Sequence, residues 1–360
     1  MRRLQVKSSA GKYQVIVGRG AWRAVRRLQG YTSAFVVTEP HLWEKWGRKF
    51  SHDAGWRSVL PILVPSGESS KSLAMAGRVA SELLSRGADR RSLLVALGGG
   101  VIGDLGGFVA STYMRGIDYV QAPTTLLAQV DSAMGGKTGV NVRAMKNLVG
   151  TFCAPRLVVS DPAVLASLPA RAFQSGLYEA VKHAILSSPA LFGWLERNVA
   201  GLQPGDTQVL ETLVARAAQV KVDVVSRDER ESALRRVLNL GHTYGHALEE
   251  ATAYRRFLHG EAVAWGMLLV TRLAELLRVL DPAVGTRIAR MVLAVGPLPR
   301  LRGINAKRVL GLLVRDKKAV GGAIHWVLPE GIGKVRVMPD VPESAVAAAF
   351  YDVQQGAWHD

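Results

Sequence analysis

A single cysteine, Cys153, occurs in the 360 residues. That scarcity excludes an internal disulfide framework and fits a reducing cytoplasm. In Phe152-Cys153-Ala154-Pro155 no base adjoins the thiol, so it reads as core packing rather than as a nucleophile. No apolar run approaches the roughly 20 residues of a membrane-crossing helix, and the basic start Met1-Arg-Arg-Leu-Gln-Val-Lys-Ser8 lacks the apolar stretch of a secretory signal. Internal repeats and low-complexity segments are absent too. Acidic residues are few, 29 against 46 Lys and Arg, for a formal net charge of +17. Of those cations 33 are Arg, scattered along the chain without the basic stripe and interleaved aromatics of a nucleic-acid binder. No specific nucleic-acid partner is expected, and the charge suits capture of an anionic small molecule.

What is present falls into two parts. From Ser33 to about Ser160, short β-branched runs (34–37, 58–64, 93–97, 119–122 and 157–160) alternate with helical stretches such as Lys71–Arg86. That alternation predicts an α/β domain with a mainly parallel, Rossmann-like sheet over residues 1–165. Beyond Asp161-Pro162 the pattern turns to long helical periods at Gln208–Ser226, Ala233–Thr252, Glu261–Leu280 and Ala283–Ala294, with short strands at 322–327 and 333–338. A mainly α-helical domain over 166–360 is expected.

Three stretches carry chemistry. Gly98, Gly100 and Gly103 follow a strand and open a helix, the context in which backbone N–H groups cradle a pyrophosphate. Two strands precede this one, however, so a glycine-rich tight turn stays open as the alternative. Pro123–Asn141 is polar and glycine-rich, a flexible ligand-facing stretch. Its Gly-Gly-Lys137-Thr lacks the upstream glycine of a P-loop, because position 131 is Asp, so no ATP site is expected. Lys137 and Lys146 read as anion-binding point charges or as surface lysines. Finally, His242 and His246 are four residues apart, on one helical face, with His259 near. Such a cluster predicts a catalytic metal with an open position, its carboxylate still to be found.

Together GGGVIGDLGGFVASTYMRG from Gly98, PTTLLAQVDSAMGGKTGVN from Pro123, MKNLVG from Met145, GLYEAVK from Gly176, NLGHTYGHALE from Asn239, LHGEAV from Leu258 and Asp316-Lys317-Lys318 resemble the 3-dehydroquinate synthases of the sugar-phosphate-cyclase family. The likeness runs in order over nearly the whole chain. Tyr178 stands where a small residue is common in that family, beside Glu179.

The resemblance implies an NAD-binding domain followed by a helical metal domain, and a homodimer. It makes Glu179, His242 and His259 the ligands of a divalent metal, Zn²⁺ or Co²⁺, and moves His246 to the substrate. Glu39, Glu68, Lys71, Gly99, Gly100, Asp104, Thr124, Thr125, Asp131 and Lys146 match NAD-contacting positions. Arg115, Lys137, Asn147, Lys182, Lys221, Arg235, Asn239, His246 and Lys317 match substrate-binding positions, with Lys318 the register alternative to Lys317. Of these, Lys137, Lys182, Lys221, Arg235, Asn239 and His246 are the implied catalytic set. The implied reaction converts 3-deoxy-D-arabino-heptulosonate 7-phosphate to 3-dehydroquinate and phosphate. It runs through transient oxidation by NAD, phosphate elimination, reduction, ring opening and aldol closure. Relatives acting on sedoheptulose 7-phosphate or glucose 6-phosphate, and metal-dependent alcohol dehydrogenases, are the alternatives. The first lack the substrate carboxylate and tend to replace cations kept here, and the second do not need Arg115 and Lys137.

Overall fold

The computed structural model describes residues 1–56, 59–143, 145–231, 234–319, 324–339 and 341–358, the side chains of 314–319 excepted. The expected substrate contact of Lys317, or Lys318, therefore lies outside the described residues. The chain forms two compact units, Met1–Leu168 with Pro204–Arg230, and Pro169–Gln203 with Glu231–Asp360.

This corrects the expected second domain over 166–360. Helix Thr207–Val225 returns to the first unit, where it packs along the first strand. Its buried stripe of Leu210, Leu213, Val214, Ala217 and Ala218 has the period of every later helix, so periodicity does not tell which core it covers. The chain start is tied to it as well, the Met1 amino group lying 2.6 Å from Glu211 Oε1.

In the first unit β1 (Arg2–Ser8) and β2 (Gly11–Val17) form a hairpin. They are followed by β3 (Ala34–Thr38), β4 (Pro61–Leu63), β5 (Leu93–Gly98), β6 (Asp118–Pro123), β7 (Lys137–Val142), β8 (Met145–Phe152) and β9 (Leu157–Ser160). One sheet runs β1-β2-β9-β6-β5-β3-β4, parallel throughout except for the β1–β2 pair. Side chains alternate across it: Leu94 and Ala96 enter one core with Val37 and Leu105, while Leu93, Val95 and Leu97 enter the other with Trp22 and Phe50. Burial on both faces explains why these strands read as unbroken apolar runs. The connection from β3 runs to β4 on one side, whereas that from the adjacent β5 runs to β6 on the other. That reversal opens a crevice at the carboxyl ends of β3 and β5, where ligands of such sheets bind.

The expected flexible stretch over 123–141 is instead ordered into a short π-helical turn, Ala128–Ser132, and the strand β7. Strands β7 and β8 make a separate antiparallel hairpin, which covers the helix Gly100–Thr112. Strand β8 is exposed along most of its length, so its residues lack the alternation that marks a strand.

Asp53, on helix Arg48–Ala54, gives a test of this unit's electrostatics. Burial raises its pKa, but hydrogen bonds from Lys49 (2.6 Å) and Arg23 (3.4 Å) hold the carboxyl below the usual carboxylate range. The folded state therefore favours the charged form. Its contribution is complete above the unfolded value of about 3.9 and is lost as pH falls through the depressed folded value. Since Lys49 and Arg23 are 39% and 69% exposed, solvent screens the effect. Asp53→Asn should cost about 1 kcal/mol in urea unfolding at neutral pH, with a difference that shrinks in acid. A difference that does not change with pH would contradict this reading.

In the second unit, helix His259–Leu276 is buried over most of its length. Around it pack helices Ala170–Ser187, His242–Ala251, Pro282–Ala294 and Glu343–Gln354. The late strands are β10 (Trp326–Gly331) and β11 (Lys334–Met338), an antiparallel pair. The single helix expected over Ala233–Thr252 is broken. A 3₁₀ turn covers Leu234–Asn239, and the α-helix starts at His242 after Gly241, whose φ is +78°. A side chain at Gly241 would be strained in that conformation and would also meet Val263 O at 2.8 Å. Among the described residues no helix is long and apolar enough to cross a membrane.

Candidate functional site

Three helices of the second unit bring Glu179, His242 and His259 together. Glu179 lies inside Ala170–Ser187 with its side chain fully buried, while His242 and His259 each begin a helix. The spacing between these helices is set by backbone contact without side chains. A Cβ on Gly266 would stand 1.8 Å from Gly241 O, and one on Gly260 would stand 1.9 Å from Ser175 O. Glu261 braces the start of the last helix by accepting the Leu258 N–H at 2.7 Å and both arms of Arg171 at 2.6 and 2.8 Å. Glu261 is thus a cap and a brace, a role that its place beside His259 in the sequence does not reveal.

Glu179 Oε1 is buried without a hydrogen-bond donor. It faces His259 Nε2 at 3.7 Å and His242 Nε2 at 4.0 Å, too long for hydrogen bonds. Three ligands about 2.1 Å from one tetrahedral cation stand roughly 3.4 Å apart, so the trio fits a metal ion with an open position. Hydrogen bonds at the other ring nitrogens agree with this. His242 Nδ1 lies 3.2 Å from Leu240 O and His259 Nδ1 lies 3.2 Å from Glu249 Oε2, which leaves both Nε2 lone pairs to the trio. Lys182 Nζ is 2.5 Å from the second oxygen, Oε2, so the carboxylate offers one oxygen to an ammonium and one to a cation. Burial, then the charge of Lys182, pushes the His242 pKa well below the ordinary imidazole value, toward the neutral form that a ligand requires. Burial opposes charging His259 as well, but Glu249 and then Glu179 hold its pKa above the ordinary value. A cation held at Nε2 would take the place of that proton.

His246, exposed, stands beside the trio with its ring centroid 5.4 Å from His242 and 5.9 Å from His259. Its nitrogens group with Glu249 and His259 rather than with Glu179. That second group is the poorer cation site, because the Glu249 oxygen is already engaged by His259 Nδ1. Tyr178, the enlarged residue next to Glu179, is buried and donates to Gly296 O at 3.1 Å. Its bulk is thereby accommodated away from the trio. Arg235 is 2% exposed, and Asn239 donates to Glu231 Oε1 at 2.8 Å.

The first unit gathers the remaining residues in two places. At the carboxyl ends of adjacent strands, Gly99 and Gly100 open the helix Gly100–Thr112, Thr124 N donates to Gly98 O at 2.9 Å, and Thr125 begins the next turn. Glu39 follows β3 at the same crevice. Beside them runs a polar network in which Lys71 Nζ meets Asp104 Oδ2 at 3.0 Å and Glu68 Oε1 at 3.3 Å. Burial disfavours the charge on Lys71, but Asp104 and Glu68 raise its pKa above the ordinary value, so it stays cationic. Asn141 Nδ2 donates to Glu68 Oε1 at 2.8 Å, and Asn141 Oδ1 accepts from Asn147 N at 2.9 Å. Asn141 therefore links Glu68 to Asn147, a role missed in the sequence because an Asn after a glycine-rich run also suits a turn.

Asp104, Lys137 and Asn147 line one pocket of about 400 Å³. Lys221 Nζ lies 2.6 Å from Asp131 Oδ1, so Lys221 belongs to the first unit and joins an expected substrate residue to an expected NAD residue. Lys146 is exposed on β8. Arg115 is exposed beyond the far end of the helix Gly100–Thr112, at φ +71°. At about 1.5 Å of rise per residue that helix holds it roughly 20 Å from Gly99.

Models of the 3-dehydroquinate synthase N-terminal and C-terminal domains match residues 61–175 and 176–319. The 3-dehydroquinate synthase of Koribacter versatilis is 45% identical over 98% of this chain and 98% of that protein. Among solved structures, 2-deoxy-scyllo-inosose synthase complexed with carbaglucose-6-phosphate, NAD⁺ and Co²⁺ superposes with a TM-score of 0.87 at 24% identity, covering 99% of this chain and 100% of that one. The 2-epi-5-epi-valiolone synthase of Streptomyces hygroscopicus subsp. jinggangensis, with NAD⁺ and Zn²⁺ bound, does so at 0.86 and 29% identity, covering 95% of this chain and 97% of that one.

Proposed function

Because the chain belongs to the 3-dehydroquinate synthase family, we propose that it converts 3-deoxy-D-arabino-heptulosonate 7-phosphate to 3-dehydroquinate and inorganic phosphate. It acts as a homodimer in the cytoplasm. The observation that carries this reading is the fit of Glu179, His242 and His259 to one cation, with the buried cations Lys182 and Arg235 in the same unit. Their positive charge suits the binding of an anionic substrate. When bound, NAD⁺ supplies a transient hydride acceptor and Zn²⁺ or Co²⁺ a Lewis acid for the reacting hydroxyl, with no net redox change.

The chain's own residues bind, orient and move protons. Lys137, Lys182, Lys221, Arg235, Lys317 and Arg115 hold the carboxylate and phosphate, and Asn147, Asn239 and His246 hydrogen-bond the sugar. On the cofactor side, Gly99 and Gly100 offer backbone N–H groups at a helix N-terminus to the pyrophosphate. Glu39 takes the adenosine ribose, while Glu68, Lys71, Asp104, Thr124, Thr125, Asp131 and Lys146 hold the rest. Held in this way, the eliminated phosphate can serve as its own base, and the later ring opening and aldol steps proceed at high effective concentration.

The test is substrate choice. The metal-loaded protein with NAD⁺ is offered the heptulosonate, sedoheptulose 7-phosphate and glucose 6-phosphate, and released phosphate is followed. Phosphate is expected from the heptulosonate alone. Release from either of the other two instead would assign the chain to a relative that needs no carboxylate.

A further inference from the structure

We propose that Glu249 is a positioning residue that sets the ring orientation and donor strength of the metal ligand His259. The inference rests on the assignment of Glu179, His242 and His259 as ligands. Glu249 lies two helical turns after His242 and three residues after His246, which puts its side chain on their face of the helix. That side chain is 3% exposed. A carboxylate so buried is costly without hydrogen bonds, and its Oε2 meets His259 Nδ1 at 3.2 Å.

The contact has a specific consequence because the His259 backbone is already fixed. His259 is the first residue of its helix, held by the Glu261 cap and the Arg171–Glu261 pair. What remains free is rotation of the ring and the choice of nitrogen that carries the proton. Accepting Nδ1–H settles both and aims Nε2 at Glu179 Oε1. The two histidines are also made unequal. His242 donates to a neutral backbone carbonyl, Leu240 O, whereas His259 donates to a carboxylate. A negative acceptor makes the imidazole the more basic donor, so Glu249 tunes how strongly the metal draws electrons from its open position.

The experiment compares metal affinity, by competition with a chromophoric chelator, and the visible absorption of Co²⁺-loaded protein. The proteins are the parent, Glu249→Gln, Glu249→Ala and, as reference, His259→Ala. Gln keeps a neutral acceptor and Ala removes it. Affinity is expected to fall roughly 10-fold in Glu249→Gln and toward 100-fold in Glu249→Ala, the range for partners behind a ligand. The Co²⁺ bands should shift in both. Melting of the metal-free proteins monitors folding, and Glu249→Gln remains informative if Glu249→Ala does not fold. Parental affinity and spectrum in Glu249→Gln and Glu249→Ala, with metal lost in His259→Ala, would overturn the role of Glu249 alone. Parental affinity in His259→Ala would overturn the ligand assignment itself.

Discussion

His242→Ala is expected to lose its bound metal, whereas His246→Ala keeps the metal and turns over slowly. The two histidines lie four residues apart on one helix, so spacing does not separate them. Their surroundings do. The His242 side chain is 12% exposed, its Nδ1 is engaged by Leu240 O, and its Nε2 is 4.0 Å from a carboxylate oxygen with no hydrogen-bond donor. Its removal leaves two ligands, and affinity should fall by more than the roughly 10–100-fold that loss of an outer partner costs. His246 is exposed and lies outside the Glu179 group. Metal content after dialysis reads the difference, and equal loss in both variants would reverse the assignment.

Gly266→Ala is expected to be among the most damaging of small substitutions. The added methyl would lie 1.8 Å from Gly241 O, a backbone atom that no rotamer change can move. Gly241 is itself held at φ +78° against Val263 O and the Met267 amide. The helix carrying His259 must therefore shift away from the segment carrying His242. Such overpacking costs about 1–3 kcal/mol, and here the upper end is expected. Metal affinity should fall along with stability, because His242 and His259, the proposed ligands, ride on the two displaced elements. Gly77→Ala is the control, since a Cβ there meets nothing within 4 Å in an exposed part of helix Leu73–Ser85. It should gain up to about 1 kcal/mol from helix propensity. Urea unfolding of the two variants checks both signs, and similar changes in both would show that the close contact is unimportant.

The parallel sheet was legible because each strand is buried on both faces, and apolar runs such as Leu93–Leu97 have few other uses. Strand β8 was not, because Met145–Phe152 is exposed and carries no alternation. Helix Thr207–Val225 has a legible period but an illegible unit, since a 3.6-residue period marks a buried face without naming what covers it. The break at Gly241 was hidden for a related reason, because a glycine within a helical pattern is often tolerated. In the site, His242, His246 and His259 announced a metal, but the distant Glu179 came from family likeness rather than from spacing. Glu249 and Glu261 stood in the same motifs. Only the fold shows that one meets the ring of His259 and the other caps a helix.

The most direct measurement is the number of phosphates released per NAD⁺ supplied. Metal-loaded protein receives a large excess of 3-deoxy-D-arabino-heptulosonate 7-phosphate over NAD⁺, while phosphate, carbocyclic product and NADH absorbance are followed together. Many phosphates per NAD⁺, matched by product and without standing NADH, is the result expected of a cofactor that is reoxidised in every turnover. NADH accumulating in proportion to the substrate consumed, without phosphate release, would contradict it and mark a dehydrogenase instead.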